Sequence, residues 1–429
     1  MQLYHTITFF FCLLICGSIV AQPAPANAQS QYIRLTNATL HIGNGQLIQN
    51  GVLDFDKGII KYVGQANAAP QLPGQARTID AKKQEVYPGI IALNSDLGLA
   101  EVDQVRATQD QNEIGTFNPH VRSIIAYNTD SRVIPTTRSN GILLAQIVPE
   151  GGRISGSSSL VQLDAWNWED AVFAADLGIQ LHWPVRRISL SKSDDPGSGP
   201  KNDDYQKAIV EINQFFEDAR AYVPMQNDGL PNLRFASMRE VFTGQRRVFI
   251  EANGPKEMQD ATLFAENLGL KFVIVGGTGA EHIIPFLQAH KVAIVLNRIH
   301  RLPNLEEDLV DAPFKLPAML ANAGILYALS GSEAMQLRNI PFVAGTSAGF
   351  GISSERALQS ITLDAARILG VEKDLGSLEV GKSATFFISA GDALDMKGND
   401  VTQAFILGKE IDLDNKHKEL YRRFSGKFE

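Results

Sequence analysis

The stretch that most constrains this chain is Val86-Tyr87-Pro88-Gly89-Ile90-Ile91-Ala92-Leu93-Asn94-Ser95-Asp96. An apolar run breaks at Pro88-Gly89, resumes as Ile90-Ile91 and ends in three small polar residues. A short apolar run opened by a Pro-Gly turn reads as a fully buried strand. Polar side chains gathered at the C-terminal end of such a strand stand where a barrel enzyme keeps its chemistry.

The rest of the chain supplies further strands. Apolar runs at 141–148, 160–164, 179–184, 247–253, 271–277, 292–296 and 324–330 read as buried strands. Helical spacing falls between several of them. Ile209, Ile212, Phe215, Phe216 and Ala219 share one face of 205–223, and 256–268 is a helix closed by Gly269. Alternating strand and helix periods predict parallel βα units, and about eight of them predict a closed barrel. The run Ile154-Ser155-Gly156-Ser157-Ser158-Ser159 reads as a tight turn ahead of the third strand. Residues 97–140 form a long polar insertion, and loops of that length are commonly functional, so we read an ordered lid.

Residues 31–84 differ in texture. They read as short alternating strands joined by turns at Asn44-Gly45, Asn50-Gly51 and Lys57-Gly58. After a helix at 355–369, further strands follow at 385–388 and 404–407.

Two motifs resemble one family. The Pro-Gly, two aliphatics and polar end at 88–96, preceded by an all-β segment, is similar to the first barrel strand of the amidohydrolase superfamily. Ile361-Thr362-Leu363-Asp364-Ala365-Ala366 with Gly376-Ser377-Leu378-Glu379-Val380-Gly381-Lys382 resembles that family's C-terminal signature. The resemblance implies an α/β fold: a TIM-like (β/α)8 barrel with a small composite β-sandwich built from both chain ends. It divides the chain into 1–28 (signal peptide), 29–84 and 376–412 (the two parts of the sandwich), 85–375 (barrel) and 413–429 (polar tail). The implied ancestral activity is hydrolysis of C–N bonds in amides or peptide-like substrates by metal-activated water.

The expected metal ligands are replaced. In the family's Pro-Gly-x-x-Asp-x-His-x-His pattern, the aspartate falls on Ala92 and the histidines on Asn94 and Asp96. The histidines of strands five and six fall on Glu251 and Gly276, and the strand-eight aspartate falls near Ser332, with Ser347 as the alternative. We therefore expect no cofactor, with an oxygen-rich site for divalent Zn, Mn or Mg as the open alternative. Asp96, Glu251, His182 and His300 are the catalytic candidates, and Asn94, Asn253 and Arg138 the candidates for substrate binding. Three readings follow. The protein is a hydrolase with a rebuilt site, a non-catalytic binding protein paired with an active relative in a hetero-oligomer, or a metal-independent carbohydrate-active enzyme using Asp96 and Glu251.

Charge and cysteine content narrow the setting. The net charge of −8 is scattered along the chain, which argues against nucleic acid as a partner and leaves a small-molecule substrate or ligand. Residues 1–28 carry no Lys, Arg, Asp or Glu and read as a secretory signal ending near Ala28. The expected location is periplasmic or extracellular, with no stable membrane insertion after cleavage. Both cysteines, Cys12 and Cys16, lie in that segment, so thiolate chemistry drops out of the mature chain.

Overall fold

The structure is a computed structural model that describes residues 24–102, 104–186, 202–223, 230–303, 308–331 and 333–427. Two eight-stranded sheets organise it. The first takes strands from both ends of the chain: β1 Ile33–His41, β2 Leu47–Asp56, β3 Ile59–Gln65, β4 Arg77–Asp80 and β5 Glu85–Pro88 from one end. The other end gives β14 Phe386–Ser389, β15 Val401–Ile406 and β16 Lys409–Glu410. Its order is β16-β15-β14-β5-β1-β2-β3, with β4 paired to β1. Leu35, Leu53, Phe55, Phe386 and Phe405 form a core of their own on one face. Tyr87, Phe387 and Ala404 pack into the larger core of the second sheet.

The second sheet is a nearly closed barrel: β6 Ile90–Ser95, β7 Ile142–Ile147, β8 Ile154–Gln162, β9 Val172–His182, β10 Arg247–Ala252, β11 Phe272–Gly276, β12 Ile294–Leu296 and β13 Tyr327–Leu329. β5 of the first sheet ends at Pro88 and Gly89 joins it to β6 of the barrel, so the motif that opened the sequence is the junction between the two sheets. Neighbouring barrel strands are parallel, except that β8 runs antiparallel to both β7 and β9. The regular (β/α)8 repeat expected from the sequence is thus interrupted at its third strand.

That interruption corrects the reading of the Gly/Ser run. Residues 154–159 are the first part of a strand buried along its whole length, not a flexible turn. The hydroxyls make this possible because each finds a partner inside. Ser155 Oγ donates to Pro149 O, Ser157 Oγ to Asp176 Oδ1, and Ser159 Oγ accepts from Asp176 N. Buried polar groups so satisfied cost little. At Gly156 (φ +143°) a Cβ would stand 2.6 Å from Val121 O, so only glycine fits where the insertion crosses β8.

The insertion is ordered. Phe117 and Arg122 bridge to Ile154 and Ser157, and Ile124 and Tyr127 are buried in the barrel core. It contains the helix Val133–Arg138. The single helix expected at 355–369 is two, Ser354–Ile361 and Leu363–Leu369, broken at Thr362. Residues 1–23, which hold most of the expected signal, lie outside the described residues.

Candidate active site

The C-terminal ends of the barrel strands enclose a polar cavity of about 320 Å³. Asn94 and Ser95 line it from β6, Asp96 from the residue after β6, Glu150 from the turn after β7, Gln180 and His182 from β9, Glu251 from β10 and Asn297 from the residue after β12. The parallel strands deliver their polar ends to one rim, as barrel geometry requires.

Below the rim lies a neutral network. Gln146 Nε2 and Gln180 Nε2 both donate to Ser158 Oγ, at 2.9 and 2.8 Å, and all three side chains are buried. Gln146 Oε1 accepts from Asn94 N at 3.2 Å. Asn94 holds a left-handed backbone (φ 53°), where the β6–β7 register shifts, and asparagine tolerates that conformation. Asp96 closes the barrel's open seam: its Oδ1 accepts from Ala334 N, beyond β13, at 2.8 Å.

The reactive geometry centres on His182. Its Nδ1 lies 2.6 Å from Glu251 Oε2, across adjacent paired strands. Arg153 holds the backbone beneath it, its Nη1 donating to His182 O at 3.0 Å. His182 Nε2 is buried and, among the described residues, has no hydrogen-bond partner. The hydrogen bond from His182 lowers the Glu251 carboxyl pKa, and it overcomes the burial that raises it. Glu150 is raised instead, first by desolvation against the rim and also by repulsion from Glu251, with His182 opposing; contact with solvent tempers that shift. Asn297 Oδ1, on the same cavity, is a second buried acceptor without a partner among the described residues.

The cavity therefore gathers Asn94, Asp96, His182 and Glu251 from the sequence candidates, and the remaining ones lie elsewhere. His300 lines a separate cavity with Arg298, Ser330 and Phe342. Its Nε2 donates to Thr346 Oγ1 at 2.8 Å, because that hydroxyl already donates to Phe342 O. Burial and Arg298 lower its pKa. Asn253 is exposed and off the cavity wall, its side chain filling the space above Gly276. Arg138 is structural: it is buried, with Nη1 donating to Asp164 Oδ1 and Leu163 O. Asp164 Oδ2 accepts from Ala26 N, which pins the N-terminal segment to the barrel. Ser332 lies outside the described residues, and the alternative Ser347 is buried in a helix with its hydroxyl on Val343 O.

Glu150 was missed by sequence reading. Its signal was its position, directly after an all-apolar strand and before Gly151-Gly152, but it looked like an ordinary turn residue.

The strand-end positions read against the family's metal ligands hold Asn94, Asp96, Glu251 and Gly276. At Gly276 (φ +101°) a Cβ would meet Asn253 Oδ1 at 2.4 Å, so a histidine there would have to displace that side chain. Among the described residues, the set of three ligand side chains converging within 4.8 Å is Glu281, His282 and Asp308, away from this cavity.

Residues 253–411 match the model of the amidohydrolase family. The fold is similar to that of an amidohydrolase from Thermotoga maritima MSB8, with a TM-score of 0.75 at 21% identity, over 89% of this chain and 99% of that one. It is also similar to a prolidase complexed with N-methylphosphonate-L-proline (TM-score 0.53, 16% identity, 89% and 100% covered). A Xaa-Pro dipeptidase with bound methionine gives a TM-score of 0.53 at 14% identity, with 89% and 100% covered. No match is found among curated proteins. The C-terminal part of the chain thus matches the amidohydrolase family, and over most of its length the chain shares the fold of solved amidohydrolases.

Proposed function

We propose that this protein hydrolyses C–N bonds in small amide or peptide-like substrates at the barrel mouth, with His182 as general base and Glu251 as the residue that orients it. The observation that carries this reading is the 2.6 Å His182–Glu251 contact together with the unpartnered His182 Nε2. A carboxylate on Nδ1 fixes the neutral imidazole with its proton there and leaves Nε2 as an acceptor. A water drawn against Nε2 gives it a proton as its oxygen attacks the carbonyl carbon. The C–N bond then breaks, and the imidazolium returns that proton to the departing nitrogen. Glu251 compensates the positive charge while it lasts. A base so placed contributes roughly 10²- to 10⁴-fold.

The fold neighbours named as prolidase and dipeptidase support a peptide-like substrate, and the polar cavity supports a small one. In this reading the family's histidine-bound metal has been given up at the mouth. Asn94, Asp96, Glu251 and Gly276 at the strand ends support that loss. The carboxylate-pair reading draws less support, since Asp96 is bound to the seam and Glu251 to His182.

The test is product detection by mass spectrometry after incubation with dipeptides, N-acyl amino acids and their amides, before and after treatment with chelator. Cleavage that survives the chelator and disappears in His182→Asn supports the reading. Cleavage abolished by the chelator overturns its metal-free form, and no cleavage of any member overturns the hydrolase.

A further inference from the structure

A second histidine, His41, sits where the two sheets meet. It ends β1 of the first sheet. Its Nε2 lies 2.9 Å from Glu85 Oε2 on β5, and its Nδ1 lies 2.6 Å from Glu355 Oε1. Glu355 belongs to the first turn of the helix Ser354–Ile361, which packs on the barrel. The ring stacks on Tyr87 at 4.2 Å and 10°, and Tyr87 stacks in turn on Phe387. Three layers thus converge on one imidazole: neighbouring interior strands of the first sheet, the aromatic pair that faces the barrel, and a barrel helix.

Counting protons decides the state of this ring. A neutral imidazole has one N–H and one lone pair. Two ionised carboxylates accept only. Both contacts are satisfied together only by an imidazolium. Glu355 also sits in the first turn of a helix, where a negative charge facing His41 is favoured.

We propose that His41, Glu85 and Glu355 form a charged clamp between the two sheets, closed while His41 is protonated and released when it loses its proton at raised pH. The groups acting electrostatically on the ring are Glu355 and Glu85, with Tyr87 lying across its face. Burial alone would lower the His41 pKa, but the hydrogen bonds and charges of the two glutamates overturn that and raise it. On deprotonation one hydrogen bond is lost and two carboxylates face each other with no cation between them. Because the folded-state pKa is raised, the clamp's contribution is fully present below the unfolded histidine value of about 6.5. It is lost as the pH rises through the folded value.

The experiment is nitrogen NMR of the full-length protein labelled with ¹⁵N-histidine, with His41 assigned from the signal that His41→Asn removes. The expected result is a His41 ring protonated on both nitrogens at neutral pH, titrating above the ordinary histidine range. Glu355→Gln should lower that pKa, since it removes the carboxylate charge on Nδ1. A His41 that is neutral at pH 7, or that is unmoved by Glu355→Gln, overturns the proposal. If His41→Asn does not fold, the shift caused by Glu85→Gln at the more exposed partner gives the assignment.

Discussion

Two histidines in this protein each hold a glutamate on Nδ1, in two different settings. His182 and His41 each place Nδ1 2.6 Å from a glutamate oxygen. At His41 the second nitrogen is also taken, by Glu85, and the ring is covered by Tyr87. At His182 the second nitrogen has no partner among the described residues, and the side chain lines a polar cavity at the strand ends. One carboxylate fixes a tautomer and leaves a base. Two carboxylates fix a charge and leave nothing to react. The number of unsatisfied ring nitrogens therefore separates the candidate base from the structural clamp.

Substitutions can break or sharpen that contrast. The largest expected effect is His182→Asn, which should cut amide hydrolysis by roughly 10²- to 10⁴-fold with little change in thermal stability. His41→Asn should do the reverse, lowering the melting temperature and leaving the rate per folded molecule unchanged. Equal effects of the two on rate would erase the distinction.

Next comes Arg138→Met, read by chemical denaturation. It leaves the buried Asp164 without its charged partner, and such losses cost about 3–5 kcal/mol. It should not change the pH profile of hydrolysis, which separates it from the mouth residues it was grouped with by sequence.

Ser158→Ala should cost about 1–3 kcal/mol for each donor left unpaired at Gln146 and Gln180. Its stability loss should be pH-independent, because the network carries no charge.

The smallest effect is in pH dependence. The Glu251 carboxyl is held below its ordinary value, so its contribution to stability is present above about pH 4.3 and fades as the pH falls through the lower folded value. The His41 contribution fades in the opposite direction, as the pH rises. Melting curves of Glu251→Gln and Glu355→Gln against wild type should therefore diverge at opposite ends of the pH range.

Much of this architecture was legible because it rests on burial. Phe272–Gly276 and Ile90–Ser95 are strands on composition alone, since an apolar run of that length has to be enclosed on both faces. The antiparallel β8 was not legible. Its serines and glycine have the composition of a turn, and only long-range partners such as Pro149 O, Gln146 and Gln180 make burial tolerable. Arg138 misled for a related reason: a charged residue in a polar insertion looks available until Asp164 is seen beside it. Asn94, Asp96, His182 and Glu251 could be read because strand ends converge in a barrel. Their pairing could not be read, because which strand ends touch depends on register. His300 shows the limit, since it follows a strand like His182 yet falls into another cavity.

The most direct measurement is the rate of chelator-treated wild type, His182→Asn and Glu251→Gln on whichever amide or dipeptide is cleaved. The account predicts that the chelator leaves the wild-type rate in place, that His182→Asn removes the general-base contribution, and that Glu251→Gln, which leaves the imidazole without its orienting carboxylate, lowers the rate as well. A rate unchanged in either variant, or one that returns only when metal is added back, would contradict it.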